Sequence, residues 1–340
     1  MKHNMKSWLE SLKGTQPKKT IPILSFPCVS LLDITVRQLI SDSEMQAKGM
    51  KAVADKIDAA ASVSFMDLSV EAECFGAAVC VSDDEVPTVK GRLINDMEEA
   101  EALQVPPVGS GRTQLYIDAI KKSAETITDR PVLAGMIGPF SLAARLLDVS
   151  EIMIDCYDDP DMVHLVLEKV TQFLAEYAKA YKAAGANGIM MAEPVSGLLS
   201  PSLEEEFSSP YVKKIADAVQ DDDFLVIYHN CGDNVPKMLD SILTTGCAAY
   251  HFGNAVDLEK DILAKVPADV IVMGNIDPAG VLRMGTPEKV AEETTALLGR
   301  CVKYPNFVLS SGCDIPPMTP WENIDAFFAS AKEFYETESF

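Results

Sequence analysis

His229 and Cys231 stand two residues apart in LVIYHNCGDN, and Cys313 lies far downstream in FVLSSGCDIPP. An imidazole and two thiols are soft or borderline ligands for a transition metal. Three such ligands with a fourth position open is the arrangement of a catalytic zinc. An isolated His-x-Cys is weak evidence, because a buried cysteine beside a partly exposed histidine is the commoner explanation. Three features strengthen it here. The chain has only four histidines, and two of them, His229 and His251, fall at the ends of apolar runs. Gly232 and Gly312 adjoin the two cysteines, and glycine permits close backbone approach. Asp233 and Asp314 follow the cysteines directly, where a carboxylate can orient a ligand or cap a helix. No such support surrounds the other cysteines. Cys156 and Cys301 lie in or beside helical stretches, Cys247 opens a strand, and nothing pairs with Cys28, Cys74 or Cys80 at metal spacing.

The three donors converge only if two distant apolar runs belong to one sheet and end on the same side. The hydrophobic pattern predicts strands over 21–26, 63–68, 132–137, 188–192, 224–228, 248–252, 270–274 and 307–311. Helical patterns separate them over 42–60, 111–126, 141–147 with 161–184, 210–219, 235–243, 258–265, 287–298 and 320–335. Strands alternating with helices point to a parallel sheet. Eight units in one uninterrupted chain favour a single-domain (β/α)8 TIM barrel over 1–340, with an open doubly wound sheet as the alternative. An N-terminal helical extension precedes the first strand. The segment around 69–110 reads as an insertion with a short helix, either a lid or docking surface over the barrel mouth or a plain surface excursion.

Barrel chemistry sits at the C-terminal ends of the strands. The polar residues expected there are Asp67, Glu71, Glu73, Glu193, His229, Cys231, His251, Asn275, Asp277, Cys313 and Asp314. Of these, His229, Cys231 and Cys313 are the expected metal ligands. Glu193, His251 and Asp277 are the expected catalytic residues.

Bulk properties narrow the function class. A net charge of −22 disfavours nucleic acid, whose phosphates need a basic surface. No apolar run approaches the roughly 18 residues of a membrane span. MKHNMKSWLESLKG carries lysines with no apolar stretch behind them, so no export signal is expected. A cytoplasmic protein with cysteines kept as thiols or metal ligands follows from that reading.

Several segments extend the argument: VLAGMIGPFSLAARLL, IMMAEPVSGLLSP, VIYHNCGD, YHFGNAVDLEK, VMGNIDPAGVLRMGTPEKV and SSGCDIPPMTPWENIDAF. Over about residues 20 to 337 the chain resembles the uroporphyrinogen decarboxylase superfamily. Within it, the chain is similar to the branch of cobamide-dependent methyltransferases, including methylcobamide:coenzyme M methyltransferases. The resemblance implies a (β/α)8 barrel and zinc bound through His229, Cys231 and Cys313. It also implies methyl transfer between a methylcobamide, carried on a separate corrinoid protein, and a thiol such as coenzyme M. Glu193 would then be a fourth ligand displaced by substrate, or a proton acceptor. Methylated substrates attacked by Co(I) use the same chemistry in its other half-reaction. Decarboxylases of the superfamily carry an arginine-rich segment after the first strand, whereas FPCVSLLDITVRQLI offers only Arg37. Asp67 is comparable to the decarboxylases' catalytic aspartate, but its neighbours VEAECFGA resemble the methyltransferase branch. A decarboxylase-like lyase is the alternative enzyme reading, and a noncatalytic zinc- or corrinoid-binding accessory protein is the alternative from another class.

Overall fold

The structure is a computed structural model that describes residues 3–14 and 17–337. Seven parallel strands form one sheet in chain order: β1 (Ser62–Val63), β2 (Val132–Ile137), β3 (Gly188–Ala192), β4 (Leu225–Asn230), β5 (Ala249–Phe252), β6 (Ile271–Ile276) and β7 (Phe307–Ser311). Each strand pairs with the next one in sequence, so every connection is a crossover through helix. The principal helices are α1 (Met5–Ser11), α2 (Ser43–Lys56), α3 (Thr113–Thr126), α4 (Pro139–Leu147), α5 (Pro160–Ala183), α6 (Ser209–Val219), α7 (Val235–Leu243), α8 (Pro287–Cys301) and α9 (Trp321–Thr337). Among the described residues, no helix is long and apolar enough to cross a membrane.

The predicted strand over 21–26 does not form. In its place an extended segment bonds to both edge strands. Ile21 N donates to Leu309 O of β7 at 3.0 Å, and Ser25 Oγ donates to Val63 O of β1. Pro22 within this run and Pro27 just after it supply no N–H for a ladder, and side-chain bonds replace part of it. The predicted strand over 63–68 shrinks to Ser62–Val63, and a short helix, Val70–Cys74, follows it. The stretch 69–110 also contains an antiparallel hairpin, Ala78–Cys80 with Thr88–Lys90, and a helix, Met97–Ala102. A separate helix, Val149–Asp158, fills the gap between the predicted helical stretches 141–147 and 161–184.

Side-chain alternation divides the buried residues into two clusters. One contains Leu133, Met190, Ala192, Leu225, Ile227, Ala249, Ile271, Met273 and Val308, with Ile21, Ile23 and Val63. Met5 and Leu12, in and just after α1, join this cluster. The other cluster takes the alternate residues, such as Val226, Tyr228, Tyr250 and Val272, and packs them under the helices. α5 shows the matching helical pattern, with Val163, Val166, Val170, Leu174, Tyr177 and Tyr181 buried at three- and four-residue spacing. Its start is set by Asp159, which accepts from Met162 N, and by Pro160 in the first turn.

Candidate metal centre

Leu225 and Ile227 belong to the first cluster, so the period of two puts His229 on the same face of β4. Ala249 places His251 there in β5, and His229 and His251 are register partners. Val308 does the same for Ser310 in β7. Three buried polar side chains therefore continue an apolar stack at the C-terminal ends of the strands. Cys231 and Cys313 lie just beyond β4 and β7. Among the described residues, His229, Cys231 and Cys313 form a group whose ligand atoms all lie within 4.8 Å of one another. Cys313 Sγ is 3.4 Å from His229 Nε2.

These residues fit a zinc ion. With Zn–S near 2.3 Å and Zn–N near 2.0–2.1 Å, the edge between sulfur and nitrogen in a tetrahedral site is about 3.6 Å, close to the spacing found. The donors' ionisation points the same way. The Cys313 thiol's hydrogen bond holds Cys231 well below the usual thiol range, against burial and with help from His229. Cys313 is pushed well up by Cys231 and by burial. One thiolate is accommodated by the protein alone, and a second needs a cation beside it.

Backbone closeness shapes the centre as much as the ligands do. A Cβ on Gly253 would lie 2.5 Å from Cys231 Cα and 2.6 Å from its Cβ. Gly232 and Gly197 likewise pack backbone against backbone. Asn230 ties the turn in place, accepting from Gly232 N and donating to Ser196 Oγ and Tyr228 OH. Gly253→Ala is expected to displace Cys231 and weaken metal binding at least tenfold while the rest of the fold persists. Zinc titration against a competing chelator measures this, and unchanged affinity would show that the close approach has no bearing on the site.

The other expected residues separate. His251 joins the centre through its Nδ1, 2.8 Å from His229 Nδ1. Burial, and then His229, push its pKa well below the usual imidazole range. Glu193 has the opposite alternation to His229 and lies outside the ligand group. Its carboxylate caps α4 instead: Oε1 accepts from Phe140 N, and Oε2 accepts from Ser141 N and Oγ. Asp277 also acts as a cap, accepting from Ala279 N and Gly280 N at the turn Pro278–Arg283. Asp233 is exposed. Asp314 Oδ1 is buried without a hydrogen-bond partner, and burial pushes that carboxyl well above its usual range.

The uroporphyrinogen decarboxylase (URO-D) family profile matches residues 23–334. The chain belongs to the uroporphyrinogen decarboxylase family. Within that family it is 31% identical over 276 residues to "Methylcobamide:CoM methyltransferase MtbA" of Methanosarcina acetivorans, covering 79% of this chain and 78% of that protein. It is 30% identical over 298 residues to the protein of the same name in Methanosarcina mazei, covering 86% of each. Uroporphyrinogen decarboxylase of Coxiella burnetii is 26% identical over 292 residues, covering 81% of this chain and 77% of that protein. Among solved structures, a methyltransferase from Methanosarcina mazei superposes with a TM-score of 0.85 at 25% identity, covering 98% of each chain. A B12-independent methionine synthase from Shewanella sp. W3-18-1 shares the fold, with a TM-score of 0.56 at 13% identity and 94% and 93% coverage.

Two acidic residues and an arginine acquire interest within the uroporphyrinogen decarboxylase family. Arg37 is exposed and paired with Asp83, so it is committed on the surface. Asp67 is tied on both oxygens: Oδ2 accepts from Arg112 Nη1 and Tyr116 OH, and Oδ1 accepts from Ser69 N and Oγ. Glu71 is buried nearby. Its Oε1 accepts from Ile137 N at 3.2 Å while Oε2 has no partner.

Burial pushes the Glu71 carboxyl up to about 8, and burial raises Glu193 to about 7. Both folded values exceed the unfolded value near 4.3. The protonation-linked stability is therefore fully present below about pH 4 and is lost as pH rises towards 8. Glu71→Gln mimics the neutral acid. Urea unfolding between pH 5 and 8 is expected to give a flatter profile for this variant and a gain of a few kcal/mol at pH 8. A variant with the wild-type slope would remove Glu71 as a cause.

Proposed function

We propose that this chain is a zinc-dependent methyltransferase, moving a methyl group between a methylcobamide on a corrinoid protein and a small-molecule thiol such as coenzyme M. The observation that carries this reading is the convergence of His229, Cys231 and Cys313, in a chain whose relatives include proteins named methylcobamide:CoM methyltransferase. Zinc bound there would act as a Lewis acid that lowers the pKa of an incoming thiol and orients its sulfur. The protein supplies one neutral imidazole and two thiolates, a donor set that leaves the centre electron-rich and favours a nucleophilic sulfur. His229 is held from behind by His251, and Cys231 by the turn that Asn230 orders. In the transfer, a sulfur–carbon bond forms as the cobalt–carbon bond of the corrinoid breaks, and cobalt retains the electron pair. A methylated substrate in place of the thiol would run the complementary half-reaction.

Architecture supports the same reading. The segment over 21–26 bonds to both β1 and β7, which we read as the eighth stave of one closed (β/α)8 barrel domain. Leu31, Leu198, Met284 and Met318 are exposed, and each lies in the connection after a strand, or after that stave, around the mouth that holds the metal centre. Apolar side chains of this kind suit a docked protein partner, here the corrinoid protein. All eight cysteines are free thiols, in keeping with the cytoplasm.

The test is to incubate the purified protein with methylcobalamin and a panel of thiols, following demethylation by absorbance beside a zinc assay. The expected result is about one zinc per chain and demethylation that depends on one thiol. A protein that holds no zinc and demethylates methylcobalamin with no thiol in the panel would end the reading.

A further inference from the structure

We infer that His251 and Ser310 are positioning residues that fix the tautomer of His229, so that its Nε2 presents a bare lone pair to the metal. This rests on the zinc reading of the centre, and it follows from counting protons along one chain of hydrogen bonds. Ser310 Oγ donates to Ile21 O at 2.7 Å. A hydroxyl has one proton, so the 2.7 Å contact between Ser310 Oγ and His251 Nε2 must be donated by the imidazole. His251 therefore carries its proton on Nε2. Between His251 Nδ1 and His229 Nδ1, 2.8 Å apart, there is room for one proton.

Two assignments satisfy that contact. If His251 also held this proton it would be a cation, and it is fully buried with no carboxylate among its hydrogen-bond partners. An unpaired buried charge costs far more than a neutral imidazole. The proton therefore belongs to His229 Nδ1, which leaves Nε2, the nitrogen facing Cys313 Sγ, as the one available to a metal. Either ring nitrogen of a neutral imidazole can carry the proton, and here a backbone carbonyl at the far end removes that freedom. The outer member of the chain, Ile21 O, belongs to the segment that bonds β7, so the ligand's readiness depends on how that segment sits against the sheet.

The unsubstituted protein tests the assignment directly. With only four histidines in the chain, nitrogen-15 spectra of the metal-free protein resolve each ring. We expect His229 protonated on Nδ1 and His251 on Nε2; a bare Nδ1 on His229 would overturn the inference. Ser310→Ala removes the acceptor that pins His251. It is expected to shift both rings towards the other tautomer and weaken zinc about 10- to 100-fold in chelator competition. His251→Gln, which offers an acceptor oxygen and a donor amide, should keep more affinity than His251→Met, which offers no comparable acceptor. Equal zinc affinity in Ser310→Ala and the parent, with both folded by circular dichroism, would also overturn it. A parent protein that binds no zinc yet shows the expected tautomers would instead count against the metal reading alone.

Discussion

Cys313→Ser is expected to lose zinc and, with it, thiol-dependent methyl transfer. A serine hydroxyl does not ionise near neutral pH, so the variant keeps the volume of the side chain and loses a thiolate donor. Zinc bound by four ligands is held by about 10–16 kcal/mol, or roughly 3–4 kcal/mol for each ligand. Affinity should therefore fall about 10²- to 10³-fold, and turnover at limiting zinc by at least as much. Cys313 lies beyond β7 and outside both buried clusters, so the fold should survive. Zinc content after dialysis, measured beside methylcobalamin demethylation, checks both halves. A variant that retains zinc and rate would show that Cys313 lies near the ion without binding it.

Arg112→Met should produce the largest loss of stability. The Asp67 side chain is wholly buried, and Arg112 neutralises it while also binding Glu73 and Ser69. Removing one partner of a buried ion pair leaves an uncompensated charge, at a cost of about 3–5 kcal/mol. An unfolding entropy of about 2.1 cal/mol/K per residue gives a 340-residue chain about 1.4 °C per kcal/mol, so the melting temperature should drop by roughly 4–7 °C. The deficit should shrink in the double variant with Asp67→Asn. A loss below about 1 kcal/mol at neutral pH would mean that Tyr116 and Ser69 suffice to hold the carboxylate.

The contrast between His229 and Glu193 shows how far patterns along the chain reach. Both directly follow predicted strands, and both carry side chains suited to a metal. Alternation separates them, because His229 continues Leu225 and Ile227 while Glu193 continues the face of Ile189 and Met191. That rule needed no coordinates, and it also marks Ser310, two residues after Val308. What it could not supply was the partner of each polar group. Nothing local to Glu193 reveals that the first turn of α4 donates two amides to it. Arg112 and Tyr116 are separated from Asp67 by the whole stretch 69–110, so their pairing was equally hidden. The approach of Gly253 to Cys231 depends on how two connections cross, which no spacing encodes.

Residue types, periodicity and family resemblance were enough to reveal the alternation of strands and helices and the family, and to single out the three side chains that the structure brings together, since these follow from short-range preference and from side chains that do one kind of chemistry. The missing ladder over 21–26, the capping roles of Glu193 and Asp277 and the order of protons behind His229 were decided only in three dimensions. Hydrogen bonds of that kind join groups far apart in the chain, and their geometry exists only once the sheet has brought its strand ends together.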